Sequence, residues 1–307
     1  MELIITVIGF GNVGKTIATL LLPYQNHAFQ INIIDPNKTT RGALLDFEHG
    51  AQLYDDHQVS HNSTELFNQS DFIFHCAGAS VPKGCSRLVT SQASIEITET
   101  IFKNFTPQKE PFIIVIANPV EIISYITQKI TNLPKQNIIG TGTLIDSIRM
   151  NYIVKQNRPN IYYANAILLG EHGSTAFLSK QLSDVNGLPF QKTFNDSTLN
   201  NLLKTVHDSA EKIKETQNAT IYGVSHCAIQ IFELLLSEQG ANLPVSTFIP
   251  KHLSTLIGYS DIYLSLYSEI NQTGAHPFEN YHPNQYEIDC LKKSSYLIRT
   301  SIPKRYI

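Results

Sequence analysis

Two short segments carry the groups of a proton-transfer site. Leu144-Ile145-Asp146-Ser147-Ile148-Arg149 supplies a carboxylate and a fixed cation, and Gly170-Glu171-His172-Gly173 supplies an imidazole. Together these groups can hold a 2-oxo acid and protonate its carbonyl oxygen. Asp146 and Arg149 stand three residues apart, which on a helix brings both to one face. The guanidinium fork of Arg149 can grip a carboxylate through two parallel hydrogen bonds, a task that lysine performs less specifically. Asp146 is then placed to take the second nitrogen of His172, fixing its tautomer and stabilising the imidazolium. From spacing alone the Asp/Arg pair also reads as a surface ion pair, and His172, one of 11 histidines, as an ordinary loop residue.

Context favours the chemical reading. His172 follows the apolar run Ala166 to Leu169 in a glycine-flanked turn, which places its ring at a strand end, where α/β sheets gather their ligands. A third segment, Ala77-Gly78-Ala79-Ser80-Val81-Pro82-Lys83-Gly84-Cys85-Ser86-Arg87-Leu88, has glycine hinges on both sides. It reads as a lid that can carry Arg87 in over a carbonyl and exclude water, or as a loop whose arginine simply begins the next helix. Asn118, in Ile116-Ala117-Asn118-Pro119-Val120, follows another candidate strand and is either a ligand to the substrate oxygen or a turn former before proline. No HExxH motif and no second histidine at ligand spacing accompanies His172, so no metal is expected.

The element that would supply a cofactor lies at the N-terminus. Gly9-Phe10-Gly11-Asn12-Val13-Gly14 directly follows an apolar run and opens the helical segment Lys15 to Leu22. Its glycines permit the tight turn, the approach of a pyrophosphate and close helix packing, while the first helical amides face the anion. Asp35 closes the next apolar run, about 20 residues on, where a carboxylate accepts the adenosine ribose hydroxyls. A carboxylate there repels a 2′-phosphate, so NAD is expected over NADP, with Lys38 and Arg41 downstream as the residues that soften that preference.

These groups need a scaffold, and the chain has one. Apolar runs at Leu3 to Ile8, Phe29 to Ile34, Phe72 to Ala77, Phe112 to Ala117 and Asn137 to Gly140 alternate with helix-length stretches. That rhythm reads as parallel β/α units covered on both faces, a doubly wound α/β Rossmann sheet. Beyond Thr141 it changes to a helix reaching Gln156, an apolar run Ile161 to Leu169, strand-like pieces around Asn186-Gly187, and a long helix. Leu199, Leu202, Leu203, Val206, Ala210 and Ile213 mark the buried stripe of that helix. The expected organisation is a dinucleotide-binding domain over 1–141 and a C-terminal α+β substrate domain over 142–307. With no linker or repeat between them, the halves should share a tight interface.

Composition narrows the function classes. A chain of 307 residues with 42% hydrophobic content can bury a sizeable core. A net charge of −3, from 23 basic and 26 acidic residues in no long block, gives no field for a polyanion, so no nucleic-acid partner is expected. No apolar run is long enough to span a membrane, and the start at Met1 has no basic leader. The four cysteines (Cys76, Cys85, Cys227 and Cys290) form no CxxC pair, which fits unpaired thiols in a reducing cytoplasm.

Taken in order along the chain, GFGNVG, LLDFEHG, AGA with GCSRL, ANPVE, IIGTGTLIDSIR, LLGEHG and LPVSTFI resemble the L-lactate/malate dehydrogenase family, most of all its L-lactate and L-2-hydroxyisocaproate branch. The resemblance implies that His172 is the acid/base, Asp146 its partner, Arg149 the carboxylate clamp and Arg87 the mobile carbonyl-polarising arginine. It further implies that Asn118 contacts both substrate oxygen and cofactor, that Thr220 lines the substrate pocket, and that Val224 packs on the nicotinamide ring. Gly9, Gly11, Asn12, Val13, Gly14, Asp35, Ala77 and Gly78 would complete the NAD site. The activity implied is reversible hydride transfer between NADH and a small 2-oxo acid in a cytoplasmic homotetramer or homodimer.

Two departures refine the expectation. Val81 stands where the family's lactate enzymes usually carry Gln and its malate enzymes Arg. Without a cation there, a second substrate carboxylate would lose its partner, which argues against malate. An apolar wall at Val81 would favour 2-oxo acids with larger apolar tails, such as 2-oxoisocaproate, beside pyruvate. Fructose 1,6-bisphosphate-activated relatives carry Arg two residues after the clamp and His seven before the acid/base; here stand Asn151 and Asn165, so no such activation is expected. Two other classes remain: a dinucleotide-binding sensor of the same fold that has lost catalysis, and an NAD-dependent glycosidase that uses a metal. The first need not keep Arg87, Asp146, Arg149 and His172 together in a chain with only six arginines, and the second lacks a ligand set.

Overall fold

The computed structural model describes residues 2–24, 26–54, 56–80, 85–217 and 219–307, and of Arg87 the backbone alone. Val81 therefore lies outside the described residues, as does the Arg87 side chain. Six parallel strands form the first part of the sheet: β1 (Glu2–Ile8), β2 (Ala28–Ile34), β3 (His57–His61), β4 (Phe72–His75), β5 (Phe112–Val115) and β6 (Ile138–Gly140). They lie in the order β6-β5-β4-β1-β2-β3. The helices that cross between them are α1 (Asn12–Leu21), α2 (Arg41–Ala51), α3 (Thr64–Asn68), α4 (Ser91–Phe102) and α5 (Val120–Thr131). Strand order reverses between β1 and β4, which opens the crevice that doubly wound sheets use for ligands.

β1 shows why these segments become central strands. Leu3, Ile5, Val7 and Ile8 are all buried, so both faces of the strand are covered and its apolar residues run almost without alternation, as parallel sheets require. Ile5, Val7, Phe29, Ile31 and Phe74 pack under α1 on one face. Ile73, Ile113 and Val115 line the other, where Ile122 and Ile126 of α5 pack on them.

The sequence reading found five of the six parallel strands and missed β3. That edge strand reads His57-Gln58-Val59-Ser60-His61, and of its five residues only His57 is fully buried. A polar strand covered on one side at most has no apolar run to announce it.

The C-terminal half begins with α6 (Leu144–Asn157). Short strands β7 (Ala164–Asn165), β8 (Leu168–Leu169), β9 (Phe177–Leu178), β10 (Asp184–Val185) and β11 (Leu188–Pro189) follow. The β10/β11 hairpin turns through Asn186 and Gly187, both at positive φ, as the dipeptide predicted. Then come α7 (Phe190–Thr193), α8 (Asp196–Gln217), α9 (Tyr222–Leu236), β12 (Ala241–Phe248), α10 (Lys251–Ile257), β13 (Tyr263–Asn271), β14 (Gly274–Pro277) and α11 (Gln285–Ser301). Met150, Leu168, Leu178, Phe190 and Val206 form a separate core between α6 and α8.

The junction between the halves was not legible beforehand. β12, β13 and β14 extend the parallel sheet with antiparallel strands, β12 pairing with β6 through Ser246 and Gly140. From the other side α9 packs on α1, and Phe232 of α9 meets Phe72 edge-on at 4.9 Å and Phe29 at 6.0 Å between ring centroids. No single helix among the described residues is long and apolar enough to cross a membrane.

Candidate active site

Most site segments follow the C-terminal end of a strand, and Thr220 and Val224 come from the junction of α8 and α9. Gly9 follows β1 with φ +88°, and a Cβ there would lie 2.8 Å from the Ala77 amide nitrogen, so glycine is required by both conformation and space. A Cβ on Gly14 would fall 1.9 Å from the Gly9 carbonyl oxygen; this glycine serves the packing of α1 against the turn and does not face the cleft. Gly11 opens α1, and the space its Cβ would occupy is open.

A cleft of about 820 Å³ runs from this turn past β2 and β4, lined by Gly9, Gly11, Asp35, Ala77 and Gly78 among others. Asn12, the first residue of α1, is absent from that lining. The Asp35 carboxylate accepts the Phe10 amide at 2.7 Å and the Asn37 amide at 2.9 Å. These bonds aim it across the turn, and each oxygen keeps a lone pair for a ribose hydroxyl. Helix N-terminus, open glycine turn and carboxylate together fit a dinucleotide.

The cleft continues into a smaller cavity of about 220 Å³ that gathers residues from both halves: Val13, Gly78, Asn118, Arg149, His172, Thr220 and Val224 line it. The buried Oδ1 of Asn118 finds no hydrogen-bond partner among the described residues. A buried amide oxygen left without a partner costs free energy, and here it borders the space a ligand would fill.

Asp146 sits in the first turn of α6 and is 4% exposed. Its Oδ2 lies 2.6 Å from Nδ1 of His172, and its Oδ1 accepts from Arg149 at 3.1 Å. The Asp/Arg pair is thus a buried bridge between cation and imidazole, not a surface ion pair, and His172 itself lines the cavity. Arg87 begins the turn Arg87–Thr90, capped by Ser86, whose hydroxyl accepts the Leu88 amide.

Two features escaped the sequence reading. Glu121, buried in the first turn of α5, accepts the backbone amide of His172 at 2.9 Å and the Ser265 hydroxyl at 3.1 Å through one oxygen. Burial, reinforced by the neighbouring Glu171 carboxylate, pushes its carboxyl up to about 8 against those two hydrogen bonds. In the sequence it looks like a routine acidic residue at a helix start; only the long-range contact reveals it. The second is Lys214, which lines the cavity although the predicted stripe of α8 ran through Ile213, which is 37% exposed.

His75, by contrast, behaves as a core residue: buried, with Nε2 3.0 Å from the Thr98 hydroxyl, it is pushed down to about 4 by burial alone. No group of three or more His, Cys, Asp or Glu among the described residues is arranged to hold a metal ion.

Comparison with known proteins gives the same picture. The lactate/malate dehydrogenase NAD-binding domain matches residues 3–140, and the family's α/β C-terminal domain matches 143–302. An L-lactate dehydrogenase of Clostridium botulinum is 27% identical over 97% of this chain and 95% of its own. The fold is shared with the minor L-lactate dehydrogenase of Enterococcus mundtii (TM-score 0.84, 23% identity, 98% and 97% of the two chains). It is shared equally with the malate dehydrogenase of Aeropyrum pernix (TM-score 0.87, 23% identity, 98% and 99%). With both halves matched by the same family, this chain belongs to the lactate/malate dehydrogenases, oxidoreductases that use NAD.

Proposed function

We propose that the protein is an NAD-dependent L-2-hydroxyacid dehydrogenase that interconverts a 2-oxo acid and its (S)-2-hydroxy acid. The observation that carries this reading is the bridge from Arg149 through Asp146 to His172, opening onto a cavity continuous with the dinucleotide cleft. Arg149 holds the substrate carboxylate. Asn118, with its unpartnered buried oxygen, and Thr220 border the rest of the small acid. Arg87 polarises the carbonyl when its segment closes.

The bound cofactor supplies or accepts a hydride at C2 of the acid. In the reducing direction His172 donates the proton on its Nε2 to the carbonyl oxygen, while Asp146 stabilises the imidazolium through Nδ1. In the oxidising direction the neutral ring takes the hydroxyl proton. Proton transfer of this kind is worth about 10² to 10⁴ in rate. Asp35 favours NADH over NADPH, and Gly9, Gly11, Val13, Ala77, Gly78 and Val224 line the rest of the cofactor site, with Asn12 opening α1 and Gly14 letting that helix pack against the turn. The division of labour follows the domains proposed from sequence, 1–141 for cofactor and 142–307 for substrate.

NADH oxidation with a panel of 2-oxo acids tests the reading, run beside the same assay with NADPH. Turnover of at least one 2-oxo acid with NADH is expected; no turnover with any of them would favour a dinucleotide-binding protein without catalysis.

A further inference from the structure

We propose that Lys214 makes this enzyme selective for 2-oxo dicarboxylic acids, by binding the carboxylate at the far end of a substrate whose 2-oxo acid end sits on Arg149; the proposal rests on the reading above. α8 buries one stripe, Leu199, Leu202, Val206 and Ala210, and the next position on that face four residues on is Lys214. An aliphatic residue there would continue the seam at no electrostatic cost. Lys214 instead keeps its side chain only 16% exposed, paired with Glu211 at 3.0 Å, and lines the catalytic cavity beside Ala210, Ala219 and Thr220. A mostly buried ammonium on a substrate-cavity wall offers a carboxylate charge-assisted hydrogen bonds that an aliphatic residue cannot.

Among the described residues lining that cavity, Arg149 and Lys214 are the two permanent cations. They are built alike. Each is held by an acid three residues earlier on its own helix, Arg149 by Asp146 at 3.1 Å and Lys214 by Glu211 at 3.0 Å. Glu211 does not line the cavity and its side chain is 40% exposed, so Lys214 is the member of the pair that borders the substrate space. A 2-oxo dicarboxylate can bond to Lys214 with its second carboxylate while its first sits on Arg149, which a monocarboxylate cannot do. The cation does not come from the segment holding Val81, so absence of a charge at Val81 does not make the pocket apolar.

The test uses length-matched pairs: 2-oxoglutarate against 2-oxopentanoate and 2-oxoadipate against 2-oxohexanoate, with oxaloacetate and pyruvate as short references. Steady-state kcat/KM with NADH is measured for the wild type, K214M and K214R. At least one dicarboxylate should exceed its monocarboxylate partner tenfold or more in the wild type. K214M should abolish that ratio mainly through KM, and K214R should restore most of it. Tenfold corresponds to about 1.4 kcal/mol.

In parallel, calorimetric titration of each pair into protein saturated with NAD+ reads binding without turnover, and the same dicarboxylate preference and its loss in K214M are expected. A monocarboxylate that matches or beats its partner in the wild type, or a preference that survives K214M, overturns the proposal while leaving the dehydrogenase reading intact. Dicarboxylate-selective binding without turnover of any acid would uphold Lys214 and overturn the dehydrogenase reading.

Discussion

The Asp146→Asn variant isolates the step on which the proposed chemistry depends. Asp146 is 4% exposed and meets two groups at once, His172 Nδ1 at 2.6 Å and Arg149 at 3.1 Å. An amide has nearly the same shape, so the fold should survive. The amide removes the negative charge and can offer the imidazole a donor where it needs an acceptor. At an effective dielectric of about 20, opposite unit charges about 4 Å apart attract by about 4 kcal/mol, and each 1.36 kcal/mol is a factor of ten. The reduction step, which leaves His172 neutral after donation, benefits from that attraction only in the protonated form.

We therefore expect kcat for 2-oxo acid reduction to fall by about 10² to 10³, in the range that general acid catalysis supplies. KM should rise as well, because Arg149 loses its anchoring acid. Stopped-flow or steady-state NADH absorbance measures both. If D146N keeps kcat within threefold of wild type, the bridge does not carry the proton chemistry.

Three further outcomes follow from the same geometry. Arg149→Lys keeps the charge but loses the fork, so KM for 2-oxo acids should rise by one to two orders of magnitude with a smaller effect on kcat; equal loss in kcat and kcat/KM, with KM unchanged, would show that the fork acts in the transition state alone. Glu121 titrates at about 8 in the folded protein against an ordinary 4.5. The folded state therefore holds a proton that the unfolded chain has released, and stability should decline between these values by up to about 1.4 kcal/mol per pH unit. Glu121→Gln should remove that decline, so urea midpoints of variant and wild type should diverge as pH rises from 5 to 8; parallel curves would refute the assignment. Fructose 1,6-bisphosphate should leave KM unchanged, because Asn151 and Asn165 are neutral and already spent on the Ala166 amide at 2.7 Å and the Asp184 carboxylate at 3.3 Å; a clear drop in KM would contradict this.

What could be read from the chain and what could not divides on locality. GFGNVG announces itself because it is a local turn, with Gly14 required by the Gly9 carbonyl five residues before it. Central strands are visible because both faces are apolar. β3 is not visible because an edge strand needs no apolar run, and β12 to β14 are hidden because an antiparallel strand beginning Ala241-Asn242-Leu243-Pro244 carries no mark of the strand it will join. The register of α8 shows a finer limit. Ile213 and Lys214 are neighbours some 100° apart around the axis, and a stripe ending at Ala210 can continue three or four residues later. Hydrophobicity chose isoleucine; the packing chose lysine. Glu121 and His172 are 51 residues apart, and nothing local in ANPVE tells that its carboxyl carries the backbone of the loop holding the imidazole.

The antiparallel extension also explains how segments from distant parts of the chain come to one point. Ser265, buried in the middle of β13, exchanges two backbone hydrogen bonds of 2.9 Å with Gly170, the residue that starts the His172 loop. Its hydroxyl accepts the Thr143 amide at 3.1 Å, just before α6 begins, and donates to Glu121 at 3.1 Å. One serine thus sets the loop of His172, the helix of Asp146 and Arg149, and the carboxyl that holds the His172 amide. On the far side of the loop Glu171 takes the Thr175 amide and hydroxyl, and Ser294 of α11 donates to the Thr175 carbonyl at 3.1 Å. A bond as short as the 2.6 Å contact between Asp146 and His172 demands placement to a few tenths of an ångström. No element of the dinucleotide-binding half supplies that by itself. The added strand β13 is therefore part of the proposed catalytic apparatus: through Ser265 it ties the loop of His172 and the start of α6 to a sheet that can bind a dinucleotide.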